Sequence, residues 1–207
     1  MMRLRIFSLS VVAAGMLAGC NPDQRPDTDP LPDTMPASDA APLAEQPRSP
    51  ANANTDSKTL IVYMNRVTTD EVGASAGTIT VTQRGDDLVF SPNLMGLNPG
   101  KHGFHIHQNP SCEPEVKDGK KIAAAAAGGH YDPTDTGQHT GPDGNGHKGD
   151  LPMLVVDDMG AQQDVTMPGL TLNDLQNRAL VVHQGQDDYS TNPAGDSGPR
   201  IACGVID

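Results

Sequence analysis

From Lys58 onward the chain is a succession of short runs in which apolar and polar positions alternate, the period of two that a half-buried strand imposes. "KTLIVYMNRV" is the first such run. "GTITVTQRGDDLVFSPNL" keeps the alternation on both sides of "RGDD", which predicts a hairpin closed by a short turn. "NPG" marks a loop before "KHGFHIH", and further on "LPMLVVDDMGAQQDVTM" reads as strand, turn and strand. "NRALVVHQ" and "RIACGVI" supply two more. These runs, about eight short strands, predict an all-β domain over residues 58–207, an eight-stranded Greek-key barrel or sandwich. Two stretches, 109–151 and 184–199, are rich in Gly, Asp, Asn and Pro and carry no strand period. Loops of that length are functional or disordered.

The first 57 residues follow other rules. Arg3 and Arg5 precede the apolar run "IFSLSVVAAGML", which closes in "LAGC", and this order predicts an export signal over residues 1–19. The run is too short to span a bilayer comfortably. "LAGC" resembles the bacterial lipobox, so Cys20 is expected to become the lipidated first residue of the exported protein. Between Asn21 and Ser57 lie eight of the eighteen prolines, with no aromatic residue and no apolar period. Such a stretch cannot bury a core, and residues 20–57 are expected to form a semi-extended tether that holds the domain clear of a membrane surface. The implied location is the periplasm, with a lipid anchor in a bacterial membrane.

Composition agrees with a turn-rich β domain, since aromatics make up 3% of the chain, tryptophan is absent, and Gly and Pro number 22 and 18. Residues 58–207 carry ten Lys and Arg against nineteen Asp and Glu, a formal charge of −9, which excludes nucleic acid as a partner. The same balance would repel an anionic substrate. With Cys20 set aside, Cys112 and Cys203 are an even pair in a chain routed to an oxidising compartment, so a single disulfide is expected. Closing a loop of about ninety residues stabilises by roughly 4 kcal/mol in the chain-entropy model.

Chemistry concentrates in the histidines. His105 and His107 are two apart on a predicted strand, so they leave one face and can converge on an ion. An isolated H-x-H pair is more often an ordinary surface or core feature, but the rest of the set alters that judgement. In "GGHYDPTDTGQHTGPDGNGHKGDLP", His130, His139, His147 and Asp150 occupy a glycine-rich loop with no packing reason to hold imidazoles. Three histidines and a carboxylate complete a tetrahedral shell for zinc, a structural site that would order the loop. His105, His107 and His183 then form a second, sulfur-free group that suits copper, with His130 able to give one ring nitrogen to each metal.

"HGFHIH", "AGGHYDP", "GHKGDLP", "VVHQGQDDYS" and "GDSGPRIACGVI" together resemble copper/zinc superoxide dismutase in its bacterial exported form, in that family's order and across nearly all of residues 58–207. The resemblance implies a Greek-key β-barrel, copper held by His105, His107, His130 and His183, and zinc by His130, His139, His147 and Asp150. It implies that Cys112 pairs with Cys203, that Arg200 is the anion-guiding arginine beside copper, and that Asp187 bridges a copper histidine and a zinc histidine. It also implies that His102 is a structural residue bonded to backbone and not a ligand, while Leu172 and Leu175 are expected to plug a barrel end. Asp188, beside Asp187, is either solvated or part of a loop hydrogen bond.

The implied activity is dismutation of superoxide to oxygen and hydrogen peroxide, with His130 as proton carrier and zinc structural. Superoxide is the implied partner, in a monomer or a homodimer. Local focusing at Arg200 would have to overcome the acidic bulk, with Lys117, Lys120, Lys121 and Lys148 as secondary cations. A non-catalytic periplasmic copper- and zinc-binding protein is the alternative, and it would be expected to lack a copper ligand or the arginine. The alanine run in "KKIAAAAAGG" has no evident role, being too short for an unaided helix.

Overall fold

The computed structural model describes residues 58–207; the export signal expected over 1–19, the tether over 20–57 and Cys20 lie outside the described residues. The alternating runs form strands where their period predicts them. β1 (Thr59–Val67), β2 (Val72–Arg84) and β3 (Asp87–Leu94) follow one another as an antiparallel meander. Arg84 pairs with Asp87 across the turn, where Gly85 takes a positive φ of 61° that costs a glycine little. β4 (Gly100–His102) and β5 (Phe104–His107) come next, then a loop carrying β6 (Glu115–Lys117) and β7 (Lys120–Ile122). β8 (Leu154–Val156), β9 (Val165–Pro168), the one-turn helix α1 (Leu172–Leu175), β10 (Arg178–His183) and β11 (Arg200–Ile206) complete the order.

Seven strands make one curled antiparallel sheet in the order β5-β10-β11-β1-β2-β3-β9, while β4 pairs with β8 and β6 with β7. The all-β expectation holds, but the described residues contain eleven strands. Part of the difference is the exposed hairpin β6–β7, which lies within a stretch that shows no strand period. The rest is a break at Gly103, which splits one predicted strand into β4 and β5. A side chain there would meet Ser197 Cβ at 2.6 Å, and the Gly103 N–H donates to Gly185 O at 2.8 Å. The chain turns at this glycine from pairing with β8 to pairing with β10.

The core fills the concave side. Val62, Ile79, Leu88, Phe90, Phe104 and Leu180 are essentially inaccessible, and the Phe90 and Phe104 rings meet edge to face at 5.6 Å. Leu175 of α1 is fully buried and Leu172 packs against the same cluster, so this short helix closes one end as the sequence predicts. Each buried leucine contributes about 1.5–3 kcal/mol.

A second, smaller apolar cluster surrounds the disulfide between Cys112 and Cys203. Its other members include Ala123, Ala124, Ala127 and Ala179. The alanine run thus has a packing role: small side chains let the loop lie close against β10 and β11. Within it Ala125–Ala127 form a 3-10 turn, preceded by Ala124 in the left-handed region at φ 49°.

Replacing Cys112 and Cys203 together by serine is expected to lower stability by roughly 4–5 kcal/mol. Scanning calorimetry should register this as a melting midpoint about 10–15 °C lower.

Candidate metal centre

The site is built from β5 outward. Phe104 and Ile106 enter the core, so His105 and His107, at the alternate positions, leave from the opposite face. β10 lies beside β5 with Val181 opposite His105, and its last residue, His183, ends at the same face. Two single bridges pin the long loop to this strand, His107 to His130 and His105 to Asp150. They are reinforced by a local ring of backbone bonds: Tyr131 N donates to Ile106 O at 2.8 Å, Ile106 N to Gly149 O at 2.9 Å and Gly149 N to Tyr131 O at 2.9 Å.

Two groups of donors result, both predicted. His105, His107, His130 and His183 converge, as do His130, His139, His147 and Asp150, with each group's donor atoms within 4.8 Å of one another. His130 belongs to both. Six ring nitrogens in these groups are buried with no hydrogen-bond partner: Nδ1 of His105, His139 and His147, and Nε2 of His107, His130 and His183. A buried unpaired nitrogen costs about 1–3 kcal/mol, and the molecule gathers six of them around two points. That is the arrangement a pair of metal ions requires, and it fits copper in an all-imidazole site and zinc in a three-histidine, one-carboxylate site.

Four of the remaining nitrogens, those of His105, His107, His139 and His183, are tied down. His107 Nδ1 lies 3.0 Å from Gly128 O and His183 Nδ1 2.9 Å from Gly198 O, so each ring donates there and keeps its Nε2 lone pair free. Asp187 lies between the two groups, with Oδ2 2.6 Å from His105 Nε2 and Oδ1 2.8 Å from His139 Nε2. Asp150 Oδ1 is 2.8 Å from His130 Nδ1. His102 takes no part: its ring nitrogens face the carbonyls of His183 at 2.7 Å and Asn98 at 2.9 Å.

Electrostatics follow from burial. Desolvation lowers His105, drives His107 and His183 well below the usual histidine value and takes His130 to about 3, so these rings are neutral and ready to ligate. His139 departs from them. Burial pulls it down, but the carboxylates of Asp150, 3.0 Å from Nδ1, and Asp187, bonded to Nε2, outweigh that and raise it to about 9. Burial likewise pushes Asp150 and Asp187 up, and their histidine partners hold both well below the ordinary carboxylate range.

A cavity of about 230 Å³ opens over the shared histidine, lined by His130, His147, Gln108, Asp132, Asp135 and Arg200 among others. Arg200 faces His183 across the β10–β11 ladder, and its guanidinium donates to Ala124 O at 2.5 Å and to Gly128 O at 2.7 Å. The Gly128 carbonyl therefore serves both Arg200 and His107. Sequence reasoning missed these two carbonyls, for which the only signal was the alanine run and "GG". It also missed Asn192, whose Oδ1 accepts from His139 N at 2.6 Å. The four candidate lysines do not line the cavity. Lys148 is bonded to Asp174 at 2.8 Å and Lys121 to Asp70 at 3.1 Å, while Lys117 and Lys120 sit on the exposed hairpin. Asp188 forms the loop hydrogen bonds expected of it, accepting from Ser190 N and from the Thr191 N–H and hydroxyl.

Known proteins agree with the geometry. The copper/zinc superoxide dismutase (SODC) family model matches residues 75–206. Superoxide dismutase [Cu-Zn] 2 of Salmonella typhimurium is 52% identical over 149 residues, 70% of this chain and 86% of that one. Among solved structures, Cu/Zn superoxide dismutase from Brucella abortus is 44% identical with a TM-score of 0.70, covering 72% of this chain and all of its own (100%). The monomeric copper, zinc superoxide dismutase from Salmonella enterica, solved in solution, is 49% identical with a TM-score of 0.65, covering 72% of this chain and 100% of its own. Sequence, fold and donor geometry converge, and the chain belongs to the copper/zinc superoxide dismutase family.

Proposed function

We propose that this protein dismutates superoxide to oxygen and hydrogen peroxide, with copper held by His105, His107, His130 and His183 and zinc by His130, His139, His147 and Asp150. The observation that carries the reading is the set of six orphaned ring nitrogens gathered beside a cavity that Arg200 lines. Copper, when bound, supplies the one-electron couple that lets one superoxide leave as oxygen and the next as peroxide, and zinc supplies fixed charge that orders the loop. Arg200 binds and orients the anion; two carbonyls fix its guanidinium, which stays charged at any relevant pH. His130, buried yet lining the cavity, is the group placed to hold and pass a proton at Nε2, because its Nδ1 side faces the zinc group beside Asp150. Asp187 orients one ligand of each metal. All these residues come from one chain, so the site needs no second copy.

A metal-binding protein without catalysis would need neither the cavity nor an arginine held in its wall. Superoxide decay is expected to be fast with copper and zinc loaded and negligible with zinc alone. A folded, metal-filled protein with no copper-dependent decay would overturn the reading.

Arg200 and the carboxylates of Asp132 and Asp135 share the cavity wall, so they oppose one another in attracting an anion. Arg200→Gln is expected to slow decay roughly tenfold or more at low ionic strength. Asp135→Asn should quicken it about twofold, and that gain should vanish near 1 M salt, where the Debye length is about 3 Å.

We propose further that residues 1–19 export the chain to the periplasm, that Cys20 is lipidated and that residues 20–57 tether the domain over residues 58–207 to a membrane. Cys20→Ser is expected to move the protein from the membrane fraction to the soluble fraction, as an immunoblot of fractionated cells would show.

A further inference from the structure

Asp174 touches none of the donors, yet its carboxylate joins the elements around them. Oδ2 accepts from the Thr171 N–H at 2.9 Å and the Thr171 hydroxyl at 2.7 Å, which caps the first turn of α1. Oδ1 accepts from Lys148 Nζ at 2.8 Å and from the Tyr131 hydroxyl at 3.3 Å. Lys148 lies between His147 and Asp150 in "HKGD", and Tyr131 directly follows His130. One oxygen thus holds the neighbours of three of the four donors in the zinc group.

Tyr131 is gripped a second time. The Arg178 guanidinium carbon lies 4.2 Å from its ring centroid, and Arg178 Nη1 donates to Gln108 O, next to His107, at 2.7 Å. Arg178 Nε is buried without a hydrogen-bond partner, a cost accepted where the guanidinium lies over the ring. The Asp174 side chain is 16% exposed and that of Lys148 37%, so the pair is partly shielded from solvent. Burial pushes the Asp174 carboxyl up, and the bonds from Lys148 and Thr171 hold it below its usual value, so it is ionised.

A solvated lysine beside a metal site would add repulsion and leave the turn from His147 to Asp150 free to move. Tied to Asp174, it anchors that turn to α1, which is itself fixed in the core through Leu175. We propose that Asp174 is a positioning residue for the zinc group, clamping His130, His147 and Asp150 from outside through Tyr131 and Lys148.

This rests on reading His130, His139, His147 and Asp150 as the zinc site, and the test separates the two. Zinc affinity of the whole protein is measured by competition with a chromophoric chelator, and the visible spectrum of cobalt in the same position reports the donor geometry. Wild-type protein that holds no zinc there overturns the site assignment itself. Given binding, Asp174→Asn is expected to weaken zinc about tenfold or more and to alter the cobalt spectrum, with copper affinity little changed. Lys148→Met should weaken it in the same direction, and the double variant should lose no more than Asp174→Asn alone. Thr171→Val, which cuts only the helix-cap side, should lower the melting midpoint and leave zinc affinity unchanged. Zinc affinity within twofold of wild type in Asp174→Asn overturns the proposal, as does an equal loss in Thr171→Val, because the carboxylate would then be a helix cap alone. Should Asp174→Asn fail to fold, Lys148→Met decides by the same affinity criterion.

Discussion

The centre depends on one kind of interaction, a hydrogen bond on the far nitrogen of an imidazole. A neutral histidine has one N–H and one lone pair, and whichever nitrogen is bonded to an oxygen determines what the other offers. At His107 and His183 that oxygen is a backbone carbonyl; at His105 and at one side of His139 it is Asp187. With these oxygens in place the rings are held so that their other nitrogens face one another within each group. Without them the rings would turn to satisfy themselves, and the cost of burying unpaired nitrogens would be relieved by losing the site. The carboxylates of Asp150 and Asp187 serve a further purpose. Each contacts histidines that deliver their donors from different segments, so a displacement of one segment is felt by the others.

Such interactions act only if the segments are held, and β5 is the reference to which they are held. It lies at the edge of the seven-stranded sheet, bonded to β10 on one side, and on the other it is met by single bridges from the loop residues His130 and Asp150. The edge of a sheet is normally a liability. Here the open backbone groups are used to seat a loop that has few apolar contacts of its own. The disulfide does the same for the preceding segment, where the alanine run lies against β10 and β11 and presents carbonyls to Arg200. The buried alanines, with Ala124 in the left-handed region, line this approach.

What was legible in the sequence was what has a period or a donor set. Alternation marked the long strands, and the histidines stood out because a glycine-rich loop has no packing reason to contain them. The break at Gly103 was hidden because it interrupts no alternation; it follows from contacts with Ser197 and Gly185, distant in sequence. The β6–β7 hairpin was hidden because it buries nothing and so shows no amphipathic pattern. Lysine counts suggested steering groups, but whether a lysine is free is a tertiary fact, and Lys148 and Lys121 both have carboxylate partners. Asp174 carried no signal, since its four donors come from residues 131, 148 and 171, and only the first two flank the proposed metal donors.

An acidic domain that acts on an anion is consistent once distance is considered. The formal charge of −9 over residues 58–207 is spread over a surface many Debye lengths across, and at physiological salt a charge beyond about 8 Å is largely screened. In the proposed reading, the approach of superoxide is therefore decided by the charges in the cavity wall. There Arg200 is opposed by Asp132 and Asp135, but the groups are not equivalent. Asp132 is bonded locally, its Oδ2 accepting from the Thr136 hydroxyl and the Gly137 N–H. Arg200 is half-buried and held by two carbonyls beside His183, where fewer solvent molecules screen it than at an open surface. Burial weakens a cation's claim to its charge and strengthens its field. For a guanidinium, which keeps its proton throughout, only the second effect matters.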